Sequence, residues 1–201
     1  MPAPHEGLPV SFGVRLPEWL RLQLDYLPRA LGSAEERMDL VNALARRNVD
    51  EGTGGPFAAL VVDGDSGRVL AAGVNLVLGT GLSSAHAEVV TLSLAQSALG
   101  TWNLGSAAPR VLLSVNAQPC AMCFGALLWS GVRELEFAAL GPDVERLTGF
   151  DEGPVPAGWR DELAARGIEL RTGVREPEAH EVLAHYGRLV AEGQLPLYNG
   201  R

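Results

Sequence analysis

Lysine is absent from the 201 residues, and cysteine is nearly so: two occur, three positions apart, in Pro119-Cys120-Ala121-Met122-Cys123. Thiols that close make a poor disulfide framework, so a covalently stapled fold is excluded and metal or redox use comes forward. Without lysine, positive charge rests on arginines alone. They are scattered, Arg46-Arg47 being the one adjacent pair, and the formal net charge is −8. A surface that tracks phosphates needs clustered positive charge, so nucleic acid is disfavoured as a partner. No stretch reaches the roughly 18 consecutive apolar residues of a membrane span. Met1–Gly7 has neither the basic start nor the apolar run of a secretory leader. A cytoplasmic protein with no membrane partner is expected.

What is present suits one compact domain: 47% of residues are hydrophobic, enough for a core without staples. Residues 1–32 carry prolines at 2, 4, 9, 17 and 28, with an apolar stretch around Trp19, Leu20, Leu22 and Leu24. They read as an N-terminal arm that packs on the body or on a partner chain, ahead of a domain spanning 33–201. Ser33 is a good N-cap with Glu35 and Glu36 in the first turn, and Met38, Val41, Leu44 and Ala45 recur at helical spacing to about Asn48.

Gly52–Pro56 is a loop by composition. Two apolar runs, 58–62 and 69–75, flank Asp63-Gly64-Asp65-Ser66-Gly67 and predict a hairpin. Helices are expected over 86–99, 120–130 (stopped by Gly131) and 178–191, and further strands over 110–115, 134–138 and 168–171. The alternation implies a three-layer α/β/α sandwich around a mixed five-stranded sheet, with both metal-type motifs at helix starts.

Those motifs carry the chemistry. Cys120 and Cys123, one helical turn apart, place both sulfurs on one side of a helix N-terminus, whose unpaired N–H groups favour thiolates. His86, the one histidine away from the termini, supplies a third ligand. An S₂N set favours zinc and leaves a fourth position open, which distinguishes a catalytic site from a structural one. Glu88, two residues from His86, sits within reach of a water at that open position without being a ligand. A bare C-x-x-C is equally a redox pair or half a zinc knuckle, and H-x-E is common by chance. The combination of both at helix starts favours a catalytic metal.

The H-x-E…P-C-x-x-C combination resembles the cytidine-deaminase-like zinc deaminases of nucleobases, from about Ser33 to the C-terminus. Within that superfamily the chain is most similar to bacterial guanine deaminases. The similarity lies in Gly54-Gly55-Pro56-Phe57, Asn75, Ala85-His86-Ala87-Glu88, Met122-Cys123-Phe124-Gly125-Ala126 with Trp129, and Gly149-Phe150-Asp151-Glu152-Gly153. The resemblance implies one zinc on His86, Cys120 and Cys123, proton transfer by Glu88, and a second carboxylate, Glu152, beside the leaving amine. It places Asn75, Phe57, Ala87, Trp129 and Tyr198 around the base, with Phe57 and Trp129 able to sandwich it. It also implies a homodimer, with Leu197-Tyr198-Asn199 as a tail that closes the site by domain swapping.

The reaction implied is conversion of free guanine to xanthine and ammonia. One departure stands out: Gln118-Pro119-Cys120 replaces the Glu-Pro-Cys usual in these enzymes. Cytosine, cytidine, triazine or another nucleoside-type substrate are competing readings within the same chemistry. A tRNA adenosine deaminase shares the scaffold but is opposed by the acidic balance. A zinc-stabilised binding module would have no use for Glu88.

Overall fold

The computed structural model describes residues 8–200; His5 and the rest of residues 1–7 of the expected arm lie outside them. The arm contributes a short helix, α1 (Glu18–Leu24), which buries Trp19 and Leu20 in the main core. Ser33 then caps α2 (Ala34–Asp50). Its hydroxyl accepts from the Glu36 N–H while Glu36 reaches back to the Ser33 N–H, a reciprocal pair that satisfies two orphan donors.

Five strands follow where expected: β1 (Ala58–Asp63), β2 (Val69–Val74), β3 (Val111–Ala117), β4 (Glu134–Ala139) and β5 (Glu169–Thr172). Their order across the sheet is β2-β1-β3-β4-β5, antiparallel on the β2-β1-β3 side and parallel from β3 to β5. The period-2 geometry of strands parts β1 between two cores. Ala58, Leu60 and Val62 face α2 and α8 (Glu176–Ala191). Ala59 and Val61 face α4 (Ala87–Leu99) and α5 (Ala121–Ser130). Every residue of β3 is buried, as a central strand covered by helices on both faces requires.

Four α-helices lie where none is expected from the sequence: α1, α3 (Val77–Thr80), α6 (Gly141–Thr148) and α7 (Trp159–Ala165). Pro142 stands in the first turn of α6, where its missing N–H is no loss. A buried bidentate pair joins the layers, with Arg37 Nε and Nη2 donating to the two Glu136 oxygens at 2.6 and 2.8 Å. No helix among the described residues is long and apolar enough to cross a membrane.

Candidate active site

The sheet places two helix starts side by side. His86 is the N-cap of α4 and Cys120 the N-cap of α5. Neither belongs to the Ser, Thr, Asp and Asn group that caps helices best, so local helix stability gives way here to another requirement. His86 Nδ1 lies 3.5 Å from Cys120 Sγ and 3.6 Å from Cys123 Sγ, and all three atoms fall within 4.8 Å of one another. Two sulfurs and one imidazole nitrogen around a common point fit a tetrahedral zinc with a free fourth corner. A hydrogen bond from Cys123, then His86 nearby, pulls the Cys120 thiol down to about 4. That same bond and burial push the Cys123 thiol up, so metal binding would displace its proton.

Glu88 is the second residue of α4 and is 6% exposed. Burial raises its carboxyl to about 7, the nearby Cys120 charge adds to this, and His86 opposes it. Glu152 reaches the same pocket from the loop after α6. Burial, then the negative charges of Cys120 and Glu88, raises it to about 8. Two carboxyls that retain protons near neutrality are suited to acid and base work in turn.

The pocket between them has a volume of about 190 Å³, below the roughly 300–1,000 Å³ usual for drug-sized ligands. It suits a small heterocycle. A wider apolar groove of about 490 Å³ lies between Leu16, Leu27 and Val69, but holds no carboxylate, thiol or imidazole. A second trio, Asp143, Glu176 and His180, lies within 4.8 Å where α6 meets α8. All three are partly exposed and Arg146 already binds Asp143, an arrangement of surface ion pairs.

Asn75 is 1% exposed at the end of β2 and lines the pocket. Its Oδ1 accepts from the Gly55 and Val77 N–H groups and from Tyr198 Oη at 3.0 Å. Its Nδ2 has no acceptor among the described residues, so the amide is left with donors to offer a ligand. Phe57 forms one wall, with Phe150 at 5.6 Å between ring centroids and Tyr198 at 4.6 Å from Phe150.

Trp129 does not form the opposite wall. It is 82% exposed, because α5 turns Cys123, Phe124 and Leu127 inward and leaves Met122 and Trp129 on the outer face. A Phe57–Trp129 sandwich is therefore not made in this chain, and Phe150 stands in the pocket wall instead. Ala87 is buried in the core beneath the pocket, between His86 and Glu88. The C-terminal tail reaches the pocket of its own chain. Asn199 clamps the Glu152 loop, its Oδ1 accepting from the Asp151 N–H and its Nδ2 donating to the Gly149 carbonyl, each at 3.1 Å. Gln118 lines the pocket and its Oε1 accepts from the Gly141 N–H at the start of α6, so the neutral amide acts as a helix cap.

Neither Phe150 nor Asn48 carries a site role on the sequence alone. Phe150 had a signal in its Gly149–Gly153 string, whereas Asn48 had none beyond a polar residue on the buried face of α2.

Residues 32–139 match the family model described as the cytidine and deoxycytidylate deaminase zinc-binding region. The guanine deaminase of Bacillus subtilis is 35% identical over 109 residues, which cover 54% of this chain and 65% of that enzyme. A solved structure with 2,6-diaminopurine bound is 46% identical, with a TM-score of 0.83 over 88% of this chain and 92% of its own. The guanine deaminase from Nitrosomonas europaea is 44% identical, with a TM-score of 0.84 over 90% of this chain and 98% of its own. The same values hold for an asparagine variant and a glutamate variant of one protein, each solved with 8-azaguanine. The two varied positions are separated by the same interval as Asn75 and Glu152 here.

Proposed function

The chain belongs to the cytidine and deoxycytidylate deaminase zinc-binding family, and on that premise we propose that it hydrolyses guanine to xanthine and ammonia. The observation that carries this reading is the placing of two buried carboxyls, Glu88 and Glu152, on one small pocket beside the His86–Cys120–Cys123 tripod. One zinc per chain would be held by that tripod and would supply the Lewis acidity that makes water a usable nucleophile near neutral pH.

The protein's own groups do the rest. Asn75 Nδ2 donates to acceptor atoms of the purine, and Phe57 and Phe150 hold its plane, so that C2 faces the tripod. Glu88 takes a proton from the attacking water and passes it to a ring nitrogen. Glu152, protonated near neutrality, gives its proton to the departing amine at C2. The new C2 hydroxyl returns a proton to Glu152 as it becomes the xanthine carbonyl, so guanine and water balance xanthine and ammonia. The 44% identical guanine deaminase and the structures holding purine ligands support the choice of base.

Ultraviolet absorbance and ammonia release on purified, zinc-loaded protein test it. Xanthine should form from guanine, while turnover of cytosine compounds without turnover of guanine would overturn the purine assignment. Glu88→Gln should keep its zinc and lose roughly a thousandfold in turnover.

A further inference from the structure

Asn48, which touches no ligand site, is tied to the base-facing Asn75 by a hydrogen-bond chain that starts in the N-terminal arm. Trp19 Nε1 donates to Thr53 Oγ1 at 3.1 Å, and Thr53 Oγ1 donates to Asn48 Oδ1 at 2.6 Å. With its oxygen engaged, Asn48 turns its amide nitrogen the other way. Nδ2 donates one hydrogen to the Gly55 carbonyl at 2.9 Å and the other to the Asn75 carbonyl at 2.8 Å. Gly55 in turn sends its N–H to Asn75 Oδ1.

Both N–H donors and the oxygen of the Asn48 amide are engaged, at 0% exposure, and its orientation is set by the Gly55 and Asn75 carbonyls, which can only accept. The packing leaves no slack. A Cβ on Gly54 would stand 1.9 Å from the Asn75 carbonyl oxygen, and one on Gly55 would stand 2.0 Å from Tyr198 Oη. Asn48 therefore holds both the backbone of Asn75 and the loop that occupies its side-chain oxygen.

We propose that Asn48, oriented by Thr53 and Trp19, is a positioning residue that directs the Asn75 amide donors into the pocket. The proposal rests on the reading of Asn75 as the base-contacting residue. It gives the arm a role in substrate recognition, although the family match begins only at residue 32.

A double-mutant cycle with Asn75 tests it. Asn48→Ala should raise KM for guanine by roughly tenfold, because two buried carbonyls lose their donor and Asn75 loses its seat. The value of kcat and the zinc content should stay near those of the parent, since the tripod and both carboxyls are untouched. In an Asn75→Ala background the same change should add almost nothing. Additive effects, or a fall in kcat with KM unchanged, would overturn the proposal.

Thr53→Val removes only the hydroxyl that orients Asn48 and guards against a variant that fails to fold. It should raise KM in the same direction by a smaller factor. The side-chain amide resonances of Asn75, identified by their loss in Asn75→Ala, should shift in Thr53→Val. Unmoved resonances would refute the positioning role. If the parent fails to turn over guanine, the proposed reaction falls, while this spectrum still decides whether Asn48 positions Asn75.

Discussion

The two poles of the pocket are built in different ways. The metal pole draws on two short segments, residues 86–88 and 120–123, each at the first turn of a helix. Helix geometry alone sets the spacing of Cys120 and Cys123 and gives both the partial positive charge of an N-terminus. The base-facing pole draws on Asn75 after β2, Phe57 before β1, Glu152 after α6 and Tyr198 in the tail, segments up to 141 residues apart in sequence. No local rule relates them, so the wall depends on loops clamped by side chains such as Asn48 and Asn199. The tripod is built from local geometry, whereas the wall of the pocket is assembled at a distance.

Breaking the metal pole should have the largest effect. Cys123→Ala removes a ligand and leaves two, so metal content measured by atomic absorption should fall toward zero and activity with it. If zinc remained stoichiometric, the tripod would be wrongly composed. The next largest effect falls on the wall's one reacting group. Glu152→Gln should keep zinc and lower kcat on guanine by roughly 100-fold, because a leaving amine then departs without its proton. An unchanged rate would make the loop purely structural.

The same carboxyl separates the poles by stability. Its pKa is raised from 4.5 to about 8, so between those values the folded metal-free chain binds more protons than the unfolded one. The contribution to stability is fully present below about 4.5 and is lost as pH rises toward 8. Thermal melts of metal-stripped protein should therefore show Tm falling from about pH 5 to about pH 8, and Glu152→Gln should reduce that slope, Glu88, raised to about 7, supplying the rest. A slope identical in the variant would place its cause elsewhere. The smallest effect expected is that of Tyr198→Phe, which keeps the ring against Phe150 and deletes only the hydrogen bond to Asn75 Oδ1. KM for guanine should rise about fivefold with kcat little changed, and a kcat effect of equal size would assign Tyr198 to the chemistry.

Much of the frame was legible in the residues because its signals are local. Ser33 with Glu36 announces α2, and Gly131, at φ 82°, ends α5 as its position suggests. Alternation and apolar runs found all five strands. The failures are equally physical. α6 begins at Gly141-Pro142, a stretch with no helical signal in the sequence. Trp129 lies six residues past Cys123, on the far side of a helix whose inward face Cys123 already sets, so a pocket role required a wall that α5 cannot offer. Tyr198 was placed at the pocket, but its hydroxyl is bonded to Asn75, a contact between segments that share no sequence signal.

The sequence by itself determined the mixed α/β frame, the S₂N ligand set and the carboxylate beside it, because helix starts and strand alternation fix geometry over a few residues. Only the tertiary structure decided which aromatic walls the pocket and which way the Asn75 amide faces. It also decided that an arm outside the matched family region reaches that amide through Asn48. Those outcomes depend on long-range hydrogen bonds and on which helix faces the core buries, and no short stretch of sequence contains either.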